Sequence, residues 1–126
     1  MNAQERPFAG SVREILLERL PEAGTAMRHM EEEARVFAEE DGTGWYITDH
    51  EYLIDVFWDE VFEPAVLRGD DEIVVRCLGV VDEMLAGPDM ELRDSVHHFL
   101  LRRLRDDSAK SPHVAGWVRS RLGLTD

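Results

Sequence analysis

Two neighbouring stretches of this chain place a glycine and an acidic residue in front of an apolar run of helical length. They are GDDEIVVRCLGVVDEML, residues 69–85, and GPDMELRDSVHHFLLRRL, residues 87–104. Glycine ends helices well, and an aspartate begins one by accepting a hydrogen bond from a backbone N–H group. These signals predict helices joined by short connections, so that successive helices pack as antiparallel neighbours.

Similar signals divide the rest of the chain into helices, and no stretch shows the alternation typical of a strand. Ser11 followed by Glu14 predicts a capping box for a first helix, which stops at Pro21. We expect further helices over roughly residues 22–40, 49–67, 71–86 and 89–105, and a short one from Ser111 that Gly123 ends. The predicted fold class is all-α, a compact bundle of five to six helices in a single domain, residues 1–126.

The negative charge of the chain is concentrated in its middle third. The net charge is −13, and from Glu31 to Glu72 there are 15 acidic residues against two basic ones, Arg35 and Arg68. Such a field repels nucleic-acid phosphates and anionic membranes, and it attracts basic partners. The sequence therefore predicts a basic protein partner and argues against nucleic acid and membrane.

The single cysteine, Cys77, lies in the apolar run IVVRCLGVV. It is predicted to be a core residue, and one thiol provides no disulfide framework. The first 20 residues carry scattered charges and no signal-peptide pattern, and no segment has the roughly 20 apolar residues that cross a bilayer. We expect a cytoplasmic protein.

No catalytic or metal-binding signature stands out. Asp94, His97 and His98 have the helical spacing of a minimal metal pair, but zinc sites normally use three or four protein ligands. The serines lack the elbow or glycine-rich context of a nucleophile, and a thiolate at Cys77 would be disfavoured among apolar neighbours. We predict no enzyme activity, no catalytic residue, no metal site and no cofactor.

The stretch EYLIDVFWDEVFEP, residues 51–64, places four acidic side chains at a constant spacing of four. Like charges at this spacing oppose an α-helix by about 1 kcal/mol over three pairs, so stability alone does not favour them. At about 100° per residue, two aromatic rings fall among the acids. Aromatic anchors ringed by charge are typical of a protein-binding hot spot. The predicted partner-binding residues are Glu51, Tyr52, Asp55, Asp59, Phe62 and Glu63.

A second interpretation of the same stretch is open. Neighbouring helices would cover Tyr52 and Phe62, arginines of the fifth helix would pair with the acids, and the rest would form a solvated face. The two interpretations differ in whether the aromatic rings are exposed.

The order of parts from Tyr52 to Leu104 resembles a group of small bacterial helical proteins. An aromatic-rich helix, EYLIDVFWDEVFEPAVLRGDD, leads into EIVVRCLGVVDEML and a shorter final pair. This looks like helical domains found among immunity proteins of contact-dependent and polymorphic toxin systems. The acidic cap before Val75 and Arg76 also resembles a HEAT-like helical pair. The resemblance implies a single-domain protein that blocks a cognate toxin, commonly a basic nuclease, through an acidic face, and it transfers no functional residue.

The function predicted from the sequence is a non-enzymatic, acidic protein-binding domain. Its most concrete form is an immunity-type protein that binds and neutralises a basic toxin. The alternative is a helical scaffold, or a homo-oligomeric adaptor or regulatory protein, in which Tyr52, Trp58 or Phe62 packs across a symmetric interface.

Overall fold

The computed structural model describes residues 11–42 and 47–122. Within these ranges the chain folds into six helices and no strand, which confirms the all-α prediction. The predicted helix boundaries agree with the observed ones within a few residues, the usual uncertainty at frayed helix ends.

The helices follow one another with short connections. α1 is Ser11–Arg19, and α2 is Gly24–Asp41 with a 3-10 turn, Pro21–Ala23, before it. α3 consists of Asp49–Glu51, the π-helical stretch Tyr52–Phe62 and Glu63–Arg68, and α4 is Asp71–Ala86. α5 consists of Met90–Ser95, the π-helical turn Val96–Leu100, Leu101–Asp107 and a 3-10 turn, Ser108–Lys110, and α6 is Pro112–Leu122.

Side-chain caps begin several of these helices, and the structure selects Thr48 over Asp49 and Asp70 over Asp71, which the sequence leaves open. The Thr48 hydroxyl accepts the Glu51 N–H at 3.2 Å, and the Glu51 carboxylate accepts the Thr48 N–H at 3.1 Å, so a capping box begins α3. Asp70 caps α4 and Asp89 caps α5 through equivalent bonds. The side chain of Ser11 and residue Gly123, which carry the other predicted boundaries, lie outside the described part of the structure.

The contacts of the chain group it into two compact units, whose boundary falls inside α3 between Val61 and Phe62. The single-domain assignment stays a prediction. In the first unit, α1 contacts the turn that opens α2 and the start of α3. Its buried apolar side chains are Val12, Leu16, Leu20, Ala23, Met27, Ala38, Ile47, Tyr52, Leu53, Val56, Phe57, Trp58 and Val61.

The second unit contains the end of α3 from Phe62 together with α4, α5 and α6. The last three helices pack against one another, and the end of α3 contacts α4. Val74, Leu78 and Val81 of α4 are buried there. Cys77 is buried beside them, which confirms its assignment as a core residue.

The π-helical stretch determines which side chains of α3 are buried. Most buried side chains of α3 come in adjacent pairs, spaced by four, five and four residues: Tyr52 with Leu53, Val56 with Phe57, Val61 with Phe62, and Ala65 with Val66. Trp58 is also buried, next to the second pair. An α-helix repeats every 3.6 residues, whereas i→i+5 hydrogen bonds widen the turn beyond four. The spacing of the apolar pairs therefore matches the π-helix and not the α-helix.

The rotation per residue is correspondingly less than the 100° assumed in the sequence analysis. With the smaller rotation, acidic residues four positions apart fall on an arc beside the buried pairs instead of among them. Asp55 and Asp59 are exposed, and Glu51 and Glu63 are partly exposed. The predicted alternation of acids with aromatic rings is wrong, because it depended on the α-helical angle.

We predict that truncating Phe62 destabilises the protein far more than truncating Ile54. An α-helical register places Ile54 in the core and Phe62 among the acids, whereas in the structure Phe62 is buried and Ile54 is partly exposed. Phe62→Ala is expected to lower the free energy of unfolding by about 3–5 kcal/mol, and Ile54→Ala by about 1–2 kcal/mol. Urea unfolding of both variants measures this, and a larger loss for Ile54→Ala would contradict the π-helical register.

Candidate partner-binding groove

The carboxylate of Glu31 connects three helices of the first unit. Its Oε2 accepts a hydrogen bond from Arg13 Nε on α1 at 2.7 Å and one from the Tyr52 hydroxyl on α3 at 2.5 Å. Glu31 itself lies on α2, and its side chain is 13% exposed. In the run EEEARVFAEED, Glu31 has the same local context as the exposed Glu32 and Glu33, so the sequence does not single it out as a structural residue.

The protonation states of this cluster follow from its surroundings. Burial, together with the hydrogen bond to the Glu31 carboxylate, raises the pKa of the Tyr52 hydroxyl. The hydrogen bond to Glu31 raises the pKa of the Arg13 guanidinium. Both shifts favour a charged arginine and a neutral phenol, so both side chains act as hydrogen-bond donors to Glu31 at neutral pH.

The six predicted partner-binding residues separate into three groups. Tyr52 and Phe62 are both 0% exposed, so their assignment as surface anchors is corrected: both rings are part of the core. Glu51 belongs to the capping box of α3. Asp55, Asp59 and Glu63 keep exposed or partly exposed carboxylates that a partner can reach.

Asp55 also lines a groove between α2 and α3, wholly within the first unit. The groove has a volume of about 660 Å³. Its apolar residues are Ala26, Met30 and Val56, and its four carboxylates are Glu22, Glu33, Asp55 and Glu60. The groove thus combines an apolar surface with a strongly acidic rim.

Among the described residues that line the groove there is no lysine or arginine. His29 Nε2 lies 3.1 Å from Glu33 Oε1, and both side chains are well exposed. Asp59 does not line the groove, although it lies one position from Glu60. This arrangement suits a cationic side chain on the rim and an aliphatic one against the apolar surface.

Three of the four rim residues, Glu22, Glu33 and Glu60, were not predicted as site residues. A signal for the α2 residues was present, since Glu22, Ala26, Met30 and Glu33 recur at helical spacing and share one face. The sequence does not show that this face lies beside Asp55 and Glu60, because that position depends on how α2 packs on α3.

The histidine pair of α5 shows no ligand-like arrangement. His97 and His98 are exposed, and the His98 ring meets Phe99 edge-on with centroids 5.9 Å apart. In the described ranges, no three His, Cys, Asp or Glu side chains come together in a way that could hold a metal ion. The absence of enzyme activity stays a prediction.

None of the helices in residues 11–42 and 47–122 combines the length and apolarity that a membrane crossing requires.

In comparisons with known proteins, the chain matches no family model, no curated protein and no solved structure. The resemblance to immunity proteins therefore stays a prediction, and the functional argument depends on the groove.

We predict that Tyr52→Phe lowers the free energy of unfolding by about 1–3 kcal/mol at pH 7, because the hydroxyl donates to a charged carboxylate. Above pH 10, about the ordinary tyrosine pKa, the unfolded wild-type chain loses the Tyr52 proton while the folded chain keeps it. The wild type then loses stability relative to the variant by up to about 1.4 kcal/mol per pH unit.

Urea unfolding of both proteins between about pH 7 and pH 11 measures this difference. The Tyr52→Phe variant lacks only the titrating hydroxyl, so the difference between the two proteins cancels the pH dependence of all other groups. A stability difference that stays constant over this range would show that the Tyr52 proton is not held by the fold.

Proposed function

We propose that this protein is a non-enzymatic, acidic binding domain that holds a basic protein in the groove between α2 and α3. The observation that carries the proposal is the joint presence of four carboxylates and an apolar surface in one groove. Charge alone gives a solvated face, whereas an apolar surface beside it offers a contact that a partner can bury.

The charge of the surrounding unit supports a basic partner. Up to Val61 the sequence has 15 acidic and five basic residues, and from Phe62 onward it has 12 and nine. The first unit therefore carries most of the negative charge and also contains the groove. Its field steers a positively charged protein toward the groove, which raises the association rate and makes it sensitive to salt.

An immunity-type protein that binds and neutralises a basic toxin is the most concrete form of this proposal. Such a protein needs no catalytic group, because occupying the toxin's surface is sufficient. The alternative of a homo-oligomer joined through Tyr52, Trp58 or Phe62 loses its basis, since all three side chains are buried within the chain itself.

We predict that the groove carboxylates, and not acidic residues in general, hold the partner. The test variant Asp55→Lys/Glu60→Lys reverses two charges on the groove rim. The control variant Asp59→Lys/Glu40→Lys makes the same change in net charge in the same unit, at exposed positions that do not line the groove. Affinity purification from native lysate at low and high salt compares both variants with the wild type.

We expect the wild type and the control variant to retain a basic protein that the groove variant does not bind. High salt should release this protein from both. Circular dichroism first confirms that both variants fold. Equal recovery by both variants, or no basic protein bound by the wild type, would exclude the groove as the binding site. The immunity form is then tested by expressing the captured protein alone and together with this chain, and it requires toxicity that co-expression relieves.

A further inference from the structure

The face of α2 that lines the acidic groove continues beyond the groove itself. His29 and Met30 line the groove, and Val36 and Phe37 follow them by seven residues each. Seven residues make almost two full turns of an α-helix, so Val36 and Phe37 lie on the same face of α2. Phe37 is 67% exposed and Val36 is 40% exposed. α2 therefore presents an aromatic and an aliphatic side chain to solvent, in line with the apolar surface of the groove.

This face of α2 is long enough to contact several turns of a second helix. From Ala26 to Phe37 an α-helix rises about 16 Å, which is about three turns. Ala26, Met30, Glu33 and Phe37 recur along it at the positions i, i+4, i+7 and i+11. Side chains at this spacing form the ridge that a second helix packs against.

The backbone of the two helices favours a helical partner over an extended one. α2 and α3 satisfy their own backbone hydrogen bonds, so neither offers the free edge with which an extended segment pairs. The N–H and C=O groups of an extended segment would lose water against the apolar surface and gain no protein partner. A helix has already paired these groups within itself.

The charge around this face determines which kind of helix it accepts. Four carboxylates of α2 and α3 surround the apolar surface of the groove. Arg35 lies two residues from both Glu33 and Phe37, and this spacing places it on the opposite side of α2. There it pairs with Glu32 and Glu39. The charge of Arg35 thus compensates acids on the far side of α2 and leaves the groove side negative.

We propose that the groove between α2 and α3, extended by Val36 and Phe37, binds a cationic amphipathic helix of the partner protein. The apolar stripe of that helix packs on Ala26, Met30 and Phe37, and its lysine and arginine side chains reach the carboxylates on the rim. This proposal rests on the proposed function, since it takes the groove as the site that holds a basic protein, and it names the element of that protein which enters the groove.

The test is fluorescence anisotropy with a labelled model peptide of about 18 residues, in which leucines recur at helical spacing and lysines fill the other positions. A second peptide has the same sequence with two central lysines in the D configuration. It keeps every side chain and charge but opposes a right-handed helix. The wild-type protein is expected to bind the all-L peptide, and to bind the second peptide about tenfold more weakly or worse.

Phe37→Ala and Asp55→Lys test the apolar and the acidic part of the surface. Each is expected to raise the dissociation constant of the all-L peptide by about tenfold, because an anchoring side chain or a rim charge is lost. Leu67→Ala is the control for Phe37→Ala, since Leu67 is 68% exposed and belongs to the other unit. Asp59→Lys is the control for Asp55→Lys, since Asp59 is exposed on α3 and does not line the groove. Both controls should change the dissociation constant by about threefold at most.

Failure of this proposal and failure of the proposed function give different results. Equal binding of the two peptides, with Asp55→Lys weakening both, overturns the helical partner and keeps the acidic groove as the binding site. Unchanged affinity in Phe37→Ala, or an equal loss in Leu67→Ala, overturns the extension of the site along α2. A wild type that binds neither peptide overturns the proposal as well, and the purification from lysate then decides the proposed function by itself.

Discussion

The i→i+5 hydrogen bonds of Tyr52–Phe62 determine which side chains of α3 enter the core and which face water. A π-helix of this length is uncommon, since most occur as single turns. Here the apolar residues are themselves spaced for it, so the side-chain pattern and the backbone agree. The wide turn buries Tyr52 and Phe62 and leaves Asp55 and Asp59 on a separate face. The row of acids is therefore tolerated because it lies in water, where like charges repel weakly.

The hydrogen bonds to Glu31 also affect the groove between α2 and α3. Tyr52 anchors the start of α3 to α2 through its hydrogen bond to Glu31. Asp55 and Val56 come one turn later, and they line the groove opposite residues of α2. A site formed by two helices needs their spacing to be held, and the part-buried, charge-assisted hydrogen bond between Tyr52 and Glu31, one turn before Asp55, provides this.

Features that depend only on residues close together in the sequence could be predicted. The caps at Thr48, Asp70 and Asp89 are local, because each side chain bonds a backbone N–H group three residues later. The sequence does not predict the π-helix, because the α-helix is far commoner and its rotation of about 100° per residue is the ordinary expectation for a helical stretch. Glu31 could not be predicted, and of the groove the sequence shows only that Ala26, Met30 and Glu33 share one helix face. Nothing local distinguishes Glu31 from Glu32 and Glu33, and only packing against Arg13 and Tyr52 selects one of the three.

Cys77 is the only thiol of the chain, and it is buried in α4 of the second unit. A reagent that modifies thiols reaches it only when the structure around α4 opens, so the modification rate measures how often that opening occurs. The first unit contains no thiol, so thiol modification does not detect its opening. The natural sequence thus carries a single-site reporter of local unfolding in one unit, against which any unfolding signal from the whole chain can be compared.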